Sequence, residues 1–136
     1  MSVTTTPIYA GLLALLFVAL SARVIGWRRT AGIGLGDGGD TTLLRRQRVH
    51  GNFAEYAPFT LLLMTLAELQ GLPHWQLHAI GLALLAGRAT HAYGLNQNSG
   101  ASIGRVGGMI LTLTALAAAA IANLALALGT ALYAGA

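Results

Sequence analysis

At 136 residues, 55% hydrophobic and only 9% charged, the chain has too few charges to cover the surface of a soluble domain, where about a quarter of residues are charged. The length allows one domain, and the absence of cysteine excludes a disulfide framework, a thiol nucleophile and a cysteine-ligated metal. The formal charge of +4 rests on eight basic residues, all arginine. They cluster beside apolar runs, which orients a membrane protein rather than marking a nucleic-acid binder, and no DNA- or RNA-binding motif is present.

Residues 1–22 are uncharged and 8–25 nearly all apolar, predicting a first membrane span near 7–27. A cleaved signal peptide would need basic residues ahead of the apolar run, whereas the first one, Arg23, follows it. Arg23 is placed to snorkel to the headgroups. TAGIGLGDGGD (30–40) reads as a flexible Gly-rich loop. Its GLGDGG core fits the dinucleotide pattern G-x-G-x-x-G, but no strand precedes it and no βαβ unit follows. Asp40 is the expected cap of the next helix, with Thr41 as the alternative. Further spans are predicted near 41–70, 74–96 and 102–133, joined by the QGLPHWQ turn at Pro73 and by NQNSGAS (96–102). Pro58 is tolerable inside a membrane helix and can bend it. Gly104-x-x-x-Gly108 is a small-residue spacing suited to close helix packing, and Asn123 reads as interhelical glue. With no internal repeat, the expected fold is an all-α integral membrane four-helix bundle.

Arg28, Arg29, Arg45, Arg46 and Arg48 flank the first connection and Arg105 lies by the third, whereas the termini and the QGLPHWQ turn carry no Lys or Arg. The positive-inside rule then places both termini outside and the arginine-rich connections in the cytoplasm. Trp27 and Trp75 fall at opposite interfaces, where amphipathic rings belong.

RRQRVHGNFAEYAP (45–58) interrupts this apolar chain. On a helix Arg45, Arg48, Asn52 and Glu55 advance by three, four and three residues and fall within an arc of roughly 80°, with Tyr56 at its margin. Arg46 and His50 point elsewhere. A helix over 41–70 is about 45 Å long, more than the roughly 30 Å hydrocarbon core. Arg45 and Arg48 therefore reach the headgroups, while Asn52 and Glu55 lie inside the membrane. In the third span Arg88 and His91 share a face, and Arg88 lies at a depth comparable to Glu55. Intramembrane charges cost at least about 2.5–3.5 kcal/mol and usually find partners, so a Glu55–Arg88 pair is expected. Two readings stay open at this point. The polar groups are either interhelical glue or a site. Arg45, Arg48, Asn52, Glu55, Arg88 and Arg105 together exceed what packing requires. They could receive an anionic hydrophilic ligand from the cytoplasm, with arginine forks for carboxylates and Glu55 for an ammonium.

The motif Arg48-x-His50-x-Asn52-Phe53-x-Glu55-Tyr56-x-Pro58 resembles the MAPEG family, membrane-associated proteins of eicosanoid and glutathione metabolism that include microsomal glutathione transferases. The resemblance extends over the chain, through GRATHAYGL (87–95) and Arg105. It implies a homotrimer of four-helix subunits that binds glutathione between neighbours near the cytoplasmic side. Carried over by position, Arg48, Asn52, Glu55 and Tyr56 would be glutathione contacts, and Arg88 and His91 match the family's polar positions in helix three. Arg45, from the same polar stripe, joins them as an expected glutathione-binding residue. Arg105, supplied by the next subunit, would be the catalytic arginine that stabilises the glutathione thiolate. The implied activity is a glutathione-dependent transferase or peroxidase acting on lipophilic electrophiles, with glutathione as cosubstrate. Where catalytic members carry a tyrosine late in helix three, this chain has Leu95 and Asn96, with Tyr93 a half-turn away. The alternative is a non-catalytic glutathione- or lipid-binding membrane protein of the same fold. A small transporter using Glu55 and Arg88 as a charge relay is disfavoured by the short chain and lack of repeats. No metal site is expected. His74 and His78 share a helix face at the outer turn, but no acidic or cysteine partner is expected beside them, and His50 faces away from the polar stripe.

Overall fold

The computed structural model of the chain describes residues 2–97 and 103–134, with side chains as far as residue 94 in the third helix and residue 132 in the fourth. Among these residues there are four helices and no strand: α1 (Thr6–Ala31), α2 (Thr41–Leu69), α3 (His74–Gln97) and α4 (Ile103–Ala134). The fold is the expected four-helix bundle. Most of the NQNSGAS connection and the side chains of Leu95 and Asn96 lie outside the described residues.

Each helix end has a local cause. Pro7 sits in the first turn of α1, where its missing N–H is no loss. Arg28 and Arg29 occupy the last turn, facing the negative end of the helix dipole. Gly32 then takes the left-handed conformation at φ 66°, which lets Ile33 N–H donate to the Arg28 carbonyl at 3.0 Å. The Gly-rich loop is more tethered than its composition suggests. Arg28 Nη1 donates to the Ile33 carbonyl at 3.3 Å, and Gln47 Nε2 to the Gly36 carbonyl at 2.9 Å.

Asp40, not Thr41, caps α2, its Oδ1 accepting from the Thr42 and Leu43 N–H groups at 2.8 and 2.9 Å. Its Oδ2 accepts from the Trp27 indole at 3.0 Å. The Leu43 amide first, then the Trp27 indole, hold the Asp40 carboxyl below the usual carboxylate range, so the cap stays ionised. The Arg46 guanidinium lies 4.5 Å above the Trp27 ring, a cation–π contact that ties α1 to α2.

The opposite end of the bundle is closed by a carboxylate that local sequence does not announce. Glu68, on the last turn of α2, accepts from the backbone N–H groups of Thr4, Thr5 and Thr6 at 2.7, 2.6 and 2.8 Å. It thus caps α1 from another helix. The Thr5 hydroxyl also meets His74 Nδ1 at 2.7 Å, which brings the acidic neighbour that His74 lacks in sequence to within one residue. Hydrogen bonds to a charged group contribute about 1.5–3 kcal/mol each and do not simply add. Glu68→Ala should therefore lower stability by about 3 kcal/mol in a denaturing-detergent titration, and Glu68→Gln by less. Equal stability of wild type and Glu68→Ala would refute the cross-helix cap.

The core runs along the bundle axis through Leu13, Phe53, Met64, Leu77, Leu84 and Ala115. The α3–α4 pair packs most extensively. A Cβ on Gly108 would lie 2.5 Å from the His91 nitrogen and 2.6 Å from the Gly87 carbonyl oxygen, so glycine sets how closely these helices approach. Outward, the bundle is apolar at Leu15, Val18, Leu82, Ile121 and Leu128. Two helices, Thr6–Ala31 and Ile103–Leu132, are long and apolar enough to cross a membrane, yet only 17% of the apolar window in each is buried. The core helix of a soluble protein would be mostly buried; these present their apolar surface outward, as lipid contact requires.

Candidate functional site

The polar stripe of α2 faces a cleft at the arginine-bearing end of the bundle. The cleft has a volume of about 970 Å³, and its walls include Arg45, Arg48, Asn52 and Glu55 of α2, His91 of α3 and Arg105 of α4. Helical spacing explains the α2 wall, since residues three and four apart stack on one face. Six of the eight residues singled out from the sequence therefore meet around one space. Arg105 lines the cleft of its own chain, whereas the resemblance implied an arginine arriving from a neighbour.

Arg88 and Tyr56 complete the set from behind the wall. Arg88 is only 1% exposed. Its Nε donates to the Thr112 hydroxyl at 2.9 Å, and its Nη1 to the Asn52 side-chain oxygen at 2.6 Å and the Asn52 carbonyl at 3.3 Å. Among the described residues Nη2 meets the Met109 sulfur alone, at 3.8 Å. The Tyr56 ring centre lies 5.8 Å from the guanidinium carbon. The expected Glu55–Arg88 pair is not formed: among the described residues no ion pair joins them, and Glu55 is exposed on the cleft. Comparable depth constrained the height of the two side chains but not their azimuth. Asn52, one turn nearer the arginine-bearing end, is the α2 residue that meets Arg88.

This arrangement determines which way the Asn52 amide points. Arginine has only donors, so the atom meeting Arg88 must be the amide oxygen. The amide NH₂ is then the group left for the cleft, a donor suited to a carbonyl or carboxylate. Among the described residues no hydrogen bond or ion pair engages the Arg48 guanidinium or the Glu55 carboxylate. The cleft thus sets arginines Arg45, Arg48 and Arg105 against a single acid, Glu55. It favours an anionic ligand that also carries one cationic group.

The other histidines serve packing. His50 Nε2 meets the Ser21 hydroxyl at 3.0 Å and its ring stacks on Phe17 at 4.5 Å, away from the stripe. His78 Nδ1 meets the Tyr9 hydroxyl at 3.0 Å. Asn123 bridges α4 to α2, donating to the Leu63 carbonyl at 2.8 Å and accepting from Gln70 at 2.9 Å. The residues that sequence reasoning passed over are Thr112 and Met109, which complete the Arg88 shell. Their only sequence signal is helical spacing, Thr112 four residues on from Gly108 and Met109 four residues on from Arg105.

A helical bundle with an outward apolar girdle and a cationic cleft at one end defines a membrane protein whose polar cleft lies beside its lipid-facing surface. The profile of the MAPEG family matches residues 6–125, and the chain belongs to that family. It is 38% identical over 119 residues to the inner membrane protein YecN of Escherichia coli K12, covering 88% of this chain and 89% of the relative. The YecN protein of Escherichia coli O6:H1 matches equally.

Proposed function

We propose that the cleft binds glutathione and that the protein uses it as a thiol cosubstrate toward lipophilic electrophiles or hydroperoxides. The observation that carries this reading is the grouping of Arg48, Asn52 and Glu55 on one wall of a cleft that Arg105 also lines. Glutathione offers two carboxylates, an ammonium and a thiol. Arg45 and Arg48 suit the carboxylates through their planar forks, Glu55 suits the ammonium, and the Asn52 amide suits a peptide carbonyl or carboxylate. A thiol with a free pKa of about 8.5 is mostly protonated at neutral pH, and a fixed guanidinium such as Arg105 lowers that value. The thiolate then attacks an electrophilic carbon, forming a C–S bond while a leaving group departs with its bonding pair or the π pair of an activated double bond shifts and takes up a proton. Alternatively it attacks the terminal oxygen of a hydroperoxide, breaking the O–O bond to give the sulfenic acid and an alkoxide that is protonated to the alcohol. A second glutathione condenses with the sulfenic acid to the disulfide and water. No protein nucleophile is required. Arg88 and His91 are assigned to positioning and lining the site, with Tyr56 beside them.

In the same reading all four helices cross the membrane, both termini lie outside, and the cleft opens to the cytoplasm, consistent with the arginine distribution. Three copies would assemble, as the family resemblance implies. Leu95 and Asn96, in place of the late helix-three tyrosine of catalytic members, favour a second reading, a glutathione- or lipid-binding protein without turnover.

Calorimetry of glutathione with detergent-purified protein tests the site. Wild type should bind saturably, with Arg48→Ala and Glu55→Gln at least about tenfold weaker, the scale of one lost charged hydrogen bond. Absence of saturable binding in folded wild type would overturn the proposal. Arg105→Ala separates the readings: a catalyst loses turnover while retaining measurable binding, and a pure binder has no turnover to lose.

A further inference from the structure

On α2 the cleft residues occupy one side, while Ala54 and Ala57 lie on the other, flanked by Phe53 and Pro58, against α1. There, with Leu13, Ala14 and Phe17, they line an apolar groove of about 230 Å³. Ala14, Ala54 and Pro58 are exposed, so the groove opens outward from an apolar membrane helix. It shares no lining residue with the cationic cleft. Its volume is below the roughly 300–1,000 Å³ of a pocket for a whole small molecule, which suits a segment of one chain.

The same α1–α2 seam continues toward the arginine-bearing end. A polar step comes first, the Ser21–His50 contact at 3.0 Å. Beyond it Leu20, Arg23, Arg46 and Val49 line a shallow notch. Arg46 is held there by donating to the Arg23 carbonyl at 2.9 Å and by lying over Trp27. From Ala54 back to Arg46 is about 12 Å along the helix axis. The headgroup layer is about 5–8 Å deep on each side of the hydrocarbon core. With the arginines at phosphate level, the groove therefore lies among acyl chains and the Ser21–His50 step lies near the glycerol esters.

We propose that the α1–α2 seam seats one anionic phospholipid of the bilayer, its phosphate against Arg23 and Arg46 and one acyl chain in the groove beside Ala14 and Ala54. Charge complementarity selects the headgroup, because a guanidinium matches a phosphate in both charge and geometry. The nearest acid, Asp40, acts on Arg46 through space, but both its oxygens are engaged by α2 and Trp27, and it leaves the two positive charges of Arg23 and Arg46 in excess over its one. Small side chains at Ala14 and Ala54 keep the groove open.

Native mass spectrometry and thermal unfolding of delipidated full-length protein in neutral detergent test this, with phosphatidylglycerol and phosphatidylcholine as probes. Wild type should retain one phosphatidylglycerol per chain and unfold at a higher temperature with it than with phosphatidylcholine. Arg23→Gln should weaken that binding roughly fivefold, the worth of one arginine near an anionic surface. Ala14→Leu with Ala54→Leu, which fills the groove, should abolish the advantage of long-chain over short-chain phosphatidylglycerol. Neither variant disturbs the Arg46–Trp27 contact, so loss of the fold is not the expected cause of either result. Equal stabilisation by both lipids overturns the proposal, as does unchanged phosphatidylglycerol binding in Arg23→Gln or an unchanged chain-length preference in the groove-filled variant.

Discussion

Replacing Arg88 with methionine should leave the protein folded and weaken glutathione binding at least about tenfold, the scale of losing one charged hydrogen-bonding anchor. The guanidinium is buried, and among the described residues no acidic side chain pairs with it. Such a charge is expensive inside a membrane bundle, at least about 2.5–3.5 kcal/mol on insertion scales. Hydrophobic replacement of a buried charge is often neutral or stabilising. Few groups are left orphaned here. The Thr112 hydroxyl still donates to the Gly108 carbonyl at 2.8 Å, and the Asn52 amide borders the cleft, where water can reach it. Stability should therefore stay within about 1 kcal/mol of wild type. What disappears is the 2.6 Å bond that orients the Asn52 amide toward the cleft. Denaturing-detergent titration and glutathione calorimetry on the same variant separate the outcomes. Collapse of the fold would make Arg88 structural glue, and full binding in a folded variant would remove Asn52 positioning from the account.

Gly108→Ala should be strongly destabilising although alanine is the better helix former. The new Cβ would lie 2.5 Å from the His91 nitrogen, 2.8 Å from its Cα and 2.6 Å from the Gly87 oxygen. All three are backbone atoms, so no rotamer change relieves the overlap and α3 must move away from α4. Overpacking of this kind costs about 1–3 kcal/mol. Here it should also stretch the Arg88–Thr112 bond and pull His91 and Arg105 off the cleft. The adjacent Gly107, whose Cβ would meet nothing within 4 Å, supplies the control. Gly107→Ala should be neutral or stabilising by up to about 1 kcal/mol from helix propensity alone. Parallel unfolding titrations check the contrast, and equal behaviour of the two variants would refute the close-approach argument.

Local signals proved the most legible. The apolar runs predict the bundle because a stretch of about 20 apolar residues is enough to cross a bilayer core as a helix, whatever the rest of the chain does. Asp40 was identifiable as a cap because a cap and its N–H partners lie within three residues of each other. Arg45, Arg48, Asn52 and Glu55 were readable as one face for the same reason, and the structure gathers them on one cleft wall. The family motif added expectations about ligand and chemistry that spacing alone does not contain.

Contacts between helices were less legible. Glu55 and Arg88 sit at similar depth, but helix rotation turns Glu55 to the cleft and puts Asn52 against Arg88. The Glu68 cap joins residues more than sixty positions apart, and nothing near Glu68 or Thr4–Thr6 in the chain marks them as partners.

Periodicity and composition, both properties of short windows, thus suffice for the helices, the local Asp40 cap and the membrane character of this protein. Partner choice depends on azimuth and on interhelical distance, set where Gly87 and Gly108 let α3 and α4 touch. Those two quantities arise only when all four helices are packed together, and they turned a polar stripe into a cleft with a buried arginine behind it.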